Sequence, residues 1–289
     1  MDEIGVGVFQ VSTSLPSGDP AVIAKHAEDL GFESYWAPEH TVIPVGSADV
    51  YPGKQDEEPP PAYLFNMPDP LIALTRASAT TQRIRLGTGV SLIPERNPLL
   101  TAKEVASLDH YSGGRFVFGI GAGWNEPECR VMGGDFEHRW TQVEDAMLAM
   151  KELWTKDEAA YEGKYFSFPP VICKPQPASK PHPPILLGSI GSPFVLNRVV
   201  RWGDGWVPFS MDPKEIADGR EKLNELATKA GRNPSDIEIV SFSPTGFYRK
   251  ASDVAELAKA GADTLVIWLD GQDEKELLSE LDELAGELL

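Results

Sequence analysis

Three features of the sequence predict a (β/α)8 TIM barrel: eight short apolar runs, helical segments between them, and a length of 289 residues. Typical barrels of this class have about 250 residues. The apolar runs lack the polar alternation of a sheet with one face in water, so they indicate parallel strands covered by helices. Because the alternation continues without a clear break, we expect one closed barrel domain over residues 1–289 rather than an open doubly wound sheet.

The strands are predicted from short runs that are rich in glycine and in β-branched or aromatic residues. Each run is too short for a core helix and is bounded by polar residues, glycine or proline. In chain order the predicted strands cover residues 4–9, 34–37, 84–93, 115–118, 185–187, 205–207, 237–242 and 264–269.

The helices are predicted mainly from their first residues, where a capping side chain precedes a proline. Asp, Asn and Ser accept hydrogen bonds from the free N–H groups of a first turn, and proline fits the first helical position. The helix that begins at residue 69 is predicted to run to about Thr81. A stripe of large apolar residues over 140–154 predicts a further helix packed on the barrel. The capped helices begin at Asp19-Pro20, Asp69-Pro70, Asn97-Pro98, Ser192-Pro193 and Asp212-Pro213.

Two polar, proline-rich segments interrupt the alternation, as insertions after strand 2 and before strand 5. They cover residues 42–65 and 165–184. The first follows a barrel strand directly and should lie over the carboxyl ends of the strands, where barrel enzymes have their active sites. We therefore expect it to form a lid or a pocket wall, with an idle flexible loop as the alternative.

The composition excludes several classes of function. A formal net charge of −18 argues against binding to nucleic acid or to an anionic membrane surface, since both require clustered Lys and Arg. The two cysteines, Cys129 and Cys173, have no metal-binding spacing, and no histidine pair has one either, so no metal site is expected. The first residues lack a basic segment and a long apolar run, which predicts a cytoplasmic protein.

The fourth predicted strand ends in a glycine-rich segment, G-I-G-A-G-W-N-E-P, over residues 119–127. It resembles the dinucleotide fingerprint G-x-G-x-x-G, but that motif requires glycine at position 124, where this chain has Trp124. The glycines instead suggest backbone that approaches a ligand closely.

His40 is the first candidate for chemistry, because it follows the second strand beside Glu39. Imidazole titrates near neutral pH and could exchange a proton with a substrate, although a structural role is equally compatible with the sequence. Gly87 and Gly89 within the third strand suggest a bulge or a close approach to a ligand.

A second candidate is the small-residue segment after the fifth strand. Backbone N–H groups and hydroxyls at a helix N-terminus form a site suited to phosphate, whereas an ordinary capped turn is the alternative. The segment consists of Gly188, Ser189, Ile190, Gly191 and Ser192.

Several motifs together resemble the bacterial-luciferase-like oxidoreductases. These are L-G-T-G-V at 86–90, N-P-L-L-T-A-K-E at 97–104, the segment 108–128, H-P-P-I-L-L-G-S-I-G at 182–191 and G-D-G-W-V-P at 203–208. The resemblance extends over nearly the whole chain in the expected order. Within the family, W-A-P-E-H-T-V-I-P at 36–44 looks like the branch of probable deazaflavin (coenzyme F420) oxidoreductases.

The resemblance implies a flavin or deazaflavin at the carboxyl end of the barrel. Gly89-Val90, with Ser91, matches the family's strand-three bulge, often a non-proline cis peptide, which backs the cofactor ring. Residues 188–192 match the segment that meets the cofactor phosphate. His40 matches an acid/base position beside the reactive ring of the cofactor. Glu39 would orient the side chain of His40. Phe9, Trp124 and Asn125 are expected in the substrate pocket, and Trp124 stands where some sugar-phosphate dehydrogenases of the superfamily have an acidic residue.

The leading hypothesis is therefore an F420-dependent oxidoreductase that transfers hydride between the deazaflavin and a small organic substrate. A reduced-FMN-dependent monooxygenase on the same barrel is the alternative, and a catalytically silent flavin-binding protein is a second one. A homodimer is expected from the resemblance. The sequence leaves the substrate and the direction of hydride transfer open.

Overall fold

Eight parallel strands close into a barrel in this computed structural model, which describes residues 4–13, 17–51, 59–209 and 211–289. The strands are β1 (Gly5–Phe9), β2 (Ser34–Ala37), β3 (Arg85–Thr88), β4 (Ser91–Leu92), β5 (Phe116–Gly121), β6 (Ala159–Glu162), β7 (Ser167–Val171), β8 (Ile185–Gly188), β9 (Gly205–Val207), β10 (Glu238–Phe242) and β11 (Thr264–Trp268). The helices are α1 (Pro20–Leu30), α2 (Pro70–Ser78), α3 (Pro98–Ser112), α4 (Glu126–Val131), α5 (Arg139–Thr155), α6 (Pro193–Trp202), α7 (Pro213–Lys229), α8 (Ala251–Ala260) and α9 (Glu274–Leu288).

The barrel strands follow one another in the order β3, β2, β1, β11, β10, β9, β8 and β5. Pairing of β3 with β5, where Leu86 lies opposite Phe116, closes the barrel. The short strand β4 continues the line of β3 after residues 89–90 and also pairs with β5. The predicted (β/α)8 TIM barrel is thus confirmed, with its third strand interrupted at Gly89-Val90.

Local hydrogen bonds at the helix starts explain why the helices begin where the sequence predicts. Asp19, Asp69 and Asn97 each accept a hydrogen bond from a backbone N–H of the first turn of the helix that follows. Asp212 forms a reciprocal capping box with Glu215 at the start of α7. The predicted end of α2 at Thr81 is wrong, because that helix ends at Ser78.

The insertion before the fifth barrel strand, β8, contains a strand that the sequence does not reveal. Strands β6 and β7 form an antiparallel two-stranded sheet, and β7 lies inside the segment predicted to be irregular. Its sequence S-F-P-P-V has two prolines, which lack an N–H donor and are confined to strands at the edge of a sheet. A two-stranded sheet consists of two edge strands, so it accommodates them.

The insertion after strand 2 is described except for residues 52–58. It forms two short 3-10 turns, Ser47–Val50 and Ala62–Phe65. Tyr51 and Tyr63 from this insertion line the cavity at the carboxyl end of the barrel, as the predicted pocket wall requires. No helix of the described residues has the length and apolar content needed to cross a membrane.

Aromatic side chains fill the interior of the barrel below that cavity. Trp36 is fully buried and packs edge-on against Phe242, with ring centroids 5.3 Å apart, and Phe9 packs edge-on against the same ring at 5.1 Å. A Cβ atom at Gly87 would overlap the indole of Trp36, so glycine is required at that position of β3. The aromatic layer closes the barrel interior and confines the open space to its carboxyl end.

A buried carboxylate fixes the entry of the chain into β3. Glu28 of α1 accepts hydrogen bonds from the backbone N–H groups of Gln82, Arg83 and Ile84 at 2.8, 2.6 and 3.0 Å. Burial acts to raise the pKa of Glu28, but the three N–H groups outweigh burial and the pKa lies below its usual value.

We predict that Glu28→Ala lowers the free energy of unfolding by about 2–4 kcal/mol, because it leaves buried N–H groups without an acceptor. Urea denaturation at pH 7 measures the loss. Since the folded-state pKa is lowered, the contribution of Glu28 is complete above the ordinary glutamate pKa and disappears as the pH falls through the lowered value. The exposed Asp29→Ala on the same helix is the control and should change stability by less than about 0.5 kcal/mol. Equal losses for the two variants would contradict the role of Glu28.

Candidate active site

A cavity of about 620 Å³ opens at the carboxyl end of the barrel strands. Most of its wall comes from residues at the end of a strand or just after it, which is the usual position of barrel active sites. The insertion after strand 2 adds Tyr51, Tyr63 and Leu64 to the wall, and Met67 just beyond it also contributes. The strand-end residues are Phe9, Pro38, Glu39, His40, Gly89, Val90, Leu92, Gly121, Ala122, Gly123, Trp124, Gly188, Ser189, Ile190, Phe209 and Trp268.

His40 lies in the wall of this cavity and is held by a buried carboxylate. Its Nδ1 is 2.7 Å from Oε2 of Glu128, and the two side chains are 8% and 0% exposed. Glu128 also accepts a weak hydrogen bond from the backbone N–H of Val42 at 3.4 Å. An ionised carboxylate at Nδ1 favours the tautomer with a proton on that nitrogen, so Nε2 can accept a proton or, in the charged ring, donate one.

Glu39 does not hold His40, contrary to the orienting role suggested from the sequence. One of its oxygens accepts a hydrogen bond from the backbone N–H of Leu92 at 2.8 Å, and the other accepts one from Nε of Arg96 at 2.7 Å. Arg96 also pairs with Asp69 at the start of α2. Glu39 therefore fixes the chain after β3, and the orienting contact to His40 comes from Glu128.

The third-strand bulge has the geometry implied by the family resemblance. The peptide bond Gly89-Val90 is cis, and both residues line the cavity. Glycines stand on both sides of the Val90 side chain: a Cβ atom at Gly121 would lie 2.6 Å from Cγ2, and one at Gly188 would lie 2.7 Å from Cγ1. Ser91, also proposed from the sequence to contact the cofactor, is fully buried and lies outside the cavity wall.

Only part of the predicted phosphate segment faces the cavity. Gly188, Ser189 and Ile190 line it, whereas Gly191 and Ser192 do not. The backbone N–H of Ser189 donates to Val207 and that of Ser192 donates to Ile190, so two of the predicted donors are already engaged. The N–H groups of Ile190 and Gly191 have no acceptor among the described residues. Ser192 begins α6 without a side-chain capping bond, unlike the ordinary capped turn of the alternative interpretation.

Arg139 is a cation in the cavity wall that the sequence did not reveal. Its guanidinium donates to the backbone oxygens of Gly123 at 3.2 Å and Phe136 at 2.8 Å and lies 4.0 Å from the Phe136 ring centroid. Among the described residues no carboxylate lies within ion-pairing distance of it. An arginine with unused donors at a cavity is suited to an anionic group.

Aromatic rings surround the ring of His40. Trp124 packs edge-on against His40 with ring centroids 5.3 Å apart. Tyr51 in turn packs edge-on against Trp124, with ring centroids 5.4 Å apart. The hydroxyls of Tyr51 and Tyr63 are 3.1 Å apart. Phe9 and Trp124 thus line the cavity as expected for the substrate pocket.

Asn125, the third residue expected in the substrate pocket, lies outside it. Its side chain is buried, donates to Oγ of Ser47 at 2.9 Å and caps α4 by accepting from the N–H of Glu128. Asn125 therefore supports the site by fixing the helix that carries Glu128. Within the described residues, no group of three or more His, Cys, Asp or Glu side chains could hold a metal ion.

Comparison with known proteins agrees with this geometry. An uncharacterized protein of Mycobacterium tuberculosis is 37% identical over 214 residues, which cover 74% of this chain and 75% of the relative. The structure of the coenzyme F420-dependent tetrahydromethanopterin reductase from Methanopyrus kandleri superposes with a TM-score of 0.76 at 19% identity and covers 99% of both chains. The FMN complex of the oxygenating constituent of 3,6-diketocamphane monooxygenase from Pseudomonas putida superposes with a TM-score of 0.75 at 17% identity and covers 100% of this chain and 99% of that one. The model of the luciferase-like monooxygenase family matches residues 11–287, and the chain belongs to that family.

Proposed function

We propose that this protein is a coenzyme F420-dependent oxidoreductase that transfers hydride between the deazaflavin and a small organic substrate. The observation that carries the proposal is His40, fixed by Glu128 at 2.7 Å, with its ring in the wall of a cavity formed by strand ends. A histidine in this position can move the proton that must accompany hydride transfer to or from a carbonyl or hydroxyl group.

The residues around the cavity suit a phosphate-bearing cofactor. The Gly89-Val90 bulge would support the ring, and glycines 121 and 188 leave room for its Val90 side chain. The open N–H group of Ile190, together with Arg139, would hold the phosphate. When bound, the deazaflavin supplies the hydride donor or acceptor, while the protein binds, orients and excludes water.

The substrate would bind between the ring and the aromatic wall. Trp124, Tyr51 and Tyr63 give this side of the cavity large, mostly apolar surfaces, and the Trp124 indole contacts the ring of His40. A small organic molecule with one oxygen atom within reach of His40 Nε2 fits such a wall. An acidic residue in the place of Trp124 would favour a different, more polar substrate.

The reductase from Methanopyrus kandleri, named for its dependence on F420, supports this assignment. A reduced-FMN-dependent monooxygenase is the second candidate. Arg139 favours it equally, because FMN also carries a phosphate, and the 3,6-diketocamphane monooxygenase component was solved with FMN. We keep the homodimer as a prediction from the family resemblance.

We predict that His40→Ala lowers the rate of hydride transfer by about 10²–10⁴-fold while F420 affinity changes little, because the imidazole moves a proton and does not hold the phosphate. The rate is measured as oxidation of reduced F420 with a panel of small ketones, aldehydes and enones, and affinity is measured by fluorescence titration. His138→Ala is the matched control, since His138 is exposed and pairs with Asp135 outside the cavity. Unchanged turnover in the His40 variant would remove the acid/base assignment.

We predict that Arg139→Met weakens binding of F420 by about 10–100-fold, because one charge-assisted contact to phosphate is lost. Binding of a phosphate-free deazaflavin should stay the same, which separates loss of the phosphate contact from general damage to the cavity. Arg130→Met is the control, since Arg130 pairs with Glu126 and Glu137 at the surface. Equal weakening for both ligands would show that Arg139 does not contact the phosphate.

A further inference from the structure

Three glutamates lie near one another close to His40, and the charges of Glu39 and Glu128 act on Glu95. Glu39 follows β2, Glu95 ends the 3-10 turn Ile93–Glu95, and Glu128 lies on α4. The residues are 5%, 5% and 0% exposed. Carboxylates buried this deeply require a partner, because water does not stabilise their charge.

Two of the three carboxylates have such a partner, and Glu95 has none. Arg96 pairs with Glu39, and His40 contacts Glu128. Both side-chain oxygens of Glu95 are buried without a hydrogen-bond partner. Gly123 lies directly over this carboxyl, since a Cβ atom there would be 3.4 Å from Oε1 of Glu95. An ionised Glu95 would therefore be an uncompensated charge.

A proton on Glu95 removes this conflict. Burial, the largest cause, and the neighbouring charges of Glu128 and Glu39 together raise the pKa of Glu95 to about 9, while Arg96 opposes the rise. Glu128 is also the hydrogen-bond partner that a protonated Glu95 would have, since two carboxyls can form a hydrogen bond only when one of them carries the proton. The protonated Glu95 carboxyl has an O–H that can donate to Glu128, which gives its buried oxygens a hydrogen-bond partner.

We propose that Glu95 is a neutral acid that donates a hydrogen bond to Glu128 and thereby limits the negative charge that Glu128 presents to His40. Glu95 is then a positioning residue that acts on His40 through Glu128. Glu39 contacts Arg96 and Glu128 contacts His40, so a neutral Glu95 adds no unpaired charge to the buried cluster. The importance of this device for catalysis rests on the proposed function, but the charge state of Glu95 does not.

The titratable and charged groups around Glu95 come from three neighbouring segments of the chain. A change in the charge of any of these groups would alter the electrostatic potential at Glu95. Each His40, Glu95 or Glu128 variant below therefore changes one residue and leaves the others as they are. They are Glu39 and His40 after β2, Arg96 after the 3-10 turn, and Glu128 and Cys129 on α4.

The test is the titration midpoint of His40, followed by 15N NMR of the histidine rings in the full chain without cofactor. The His40 signals are assigned by their loss in His40→Gln. We expect Glu95→Gln to leave the midpoint within a few tenths of a unit, because glutamine is neutral and its amide can donate to Glu128. We expect Glu95→Leu to raise the midpoint, since Glu128 then presents its full charge to His40.

A fall in the His40 midpoint in both Glu95 variants would overturn the proposal. If Glu95 were ionised at neutral pH, both variants would remove a negative charge near His40 and lower its midpoint by about one unit or more. Glu128→Gln is the sensitivity control and should lower the midpoint, because it removes the anionic partner of His40. This readout needs neither cofactor nor substrate, so absence of F420 activity would refute the proposed function and leave the result on Glu95 intact.

An infrared measurement tests the same proposal should the Glu95 variants fail to fold. Burial also raises the pKa of Glu104 and Asp270, so the spectrum is recorded in a chain carrying Glu104→Gln and Asp270→Asn. We expect the C=O stretching band of a buried protonated carboxyl at pH 7. The band should shift in deuterium oxide, and it should disappear as the pH rises, with a midpoint near the Glu95 pKa of about 9. Absence of this band at pH 7 would contradict a neutral Glu95.

Discussion

The contact between His40 and Glu128 is the interaction on which the candidate site depends. It joins the chain after β2 to the helix after β5, across 88 positions of sequence, at a distance of 2.7 Å. A buried carboxylate without this partner would be strongly unfavourable, so the pair also fixes the position of α4. Asn125 caps that helix and reaches Ser47 in the insertion after strand 2. The same contact thus orients the imidazole, fixes the helix and connects both to the wall of the pocket.

Close packing around the bulge that follows β3 sets the second constraint. The Val90 side chain lies between positions 121 and 188, where any Cβ atom would come within 2.7 Å of it. Gly121 of the G-I-G-A-G-W segment therefore leaves space for the bulge of a neighbouring strand. Trp124, which excludes the dinucleotide fingerprint, packs against His40 and forms part of the wall where a substrate would bind.

Features that depend on local sequence were predictable, and those that depend on distant partners were not. Helix starts follow from a capping side chain and a proline next to each other, and the barrel strands follow from short apolar runs. The Glu128 contact joins segments 88 positions apart that the closed barrel brings together, and the Arg139 contact links the start of α5 to Gly123, 16 positions earlier. The orienting role of Glu39 was expected from the family resemblance, yet Glu39 pairs with Arg96, 57 positions away. Ser91, expected at the cofactor, is fully buried and lies outside the cavity wall, whereas Gly89 and Val90 line it.

The central claim is that this cavity binds a deazaflavin whose phosphate and ring meet the residues described above. Equilibrium titration of the wild-type chain with F420 and with FMN, followed by fluorescence under identical conditions, tests it most directly. We expect saturable binding of one F420 per chain, with a Kd of about micromolar or below, and clearly weaker binding of FMN. Tight binding of FMN together with no binding of F420 would contradict the account and favour the monooxygenase.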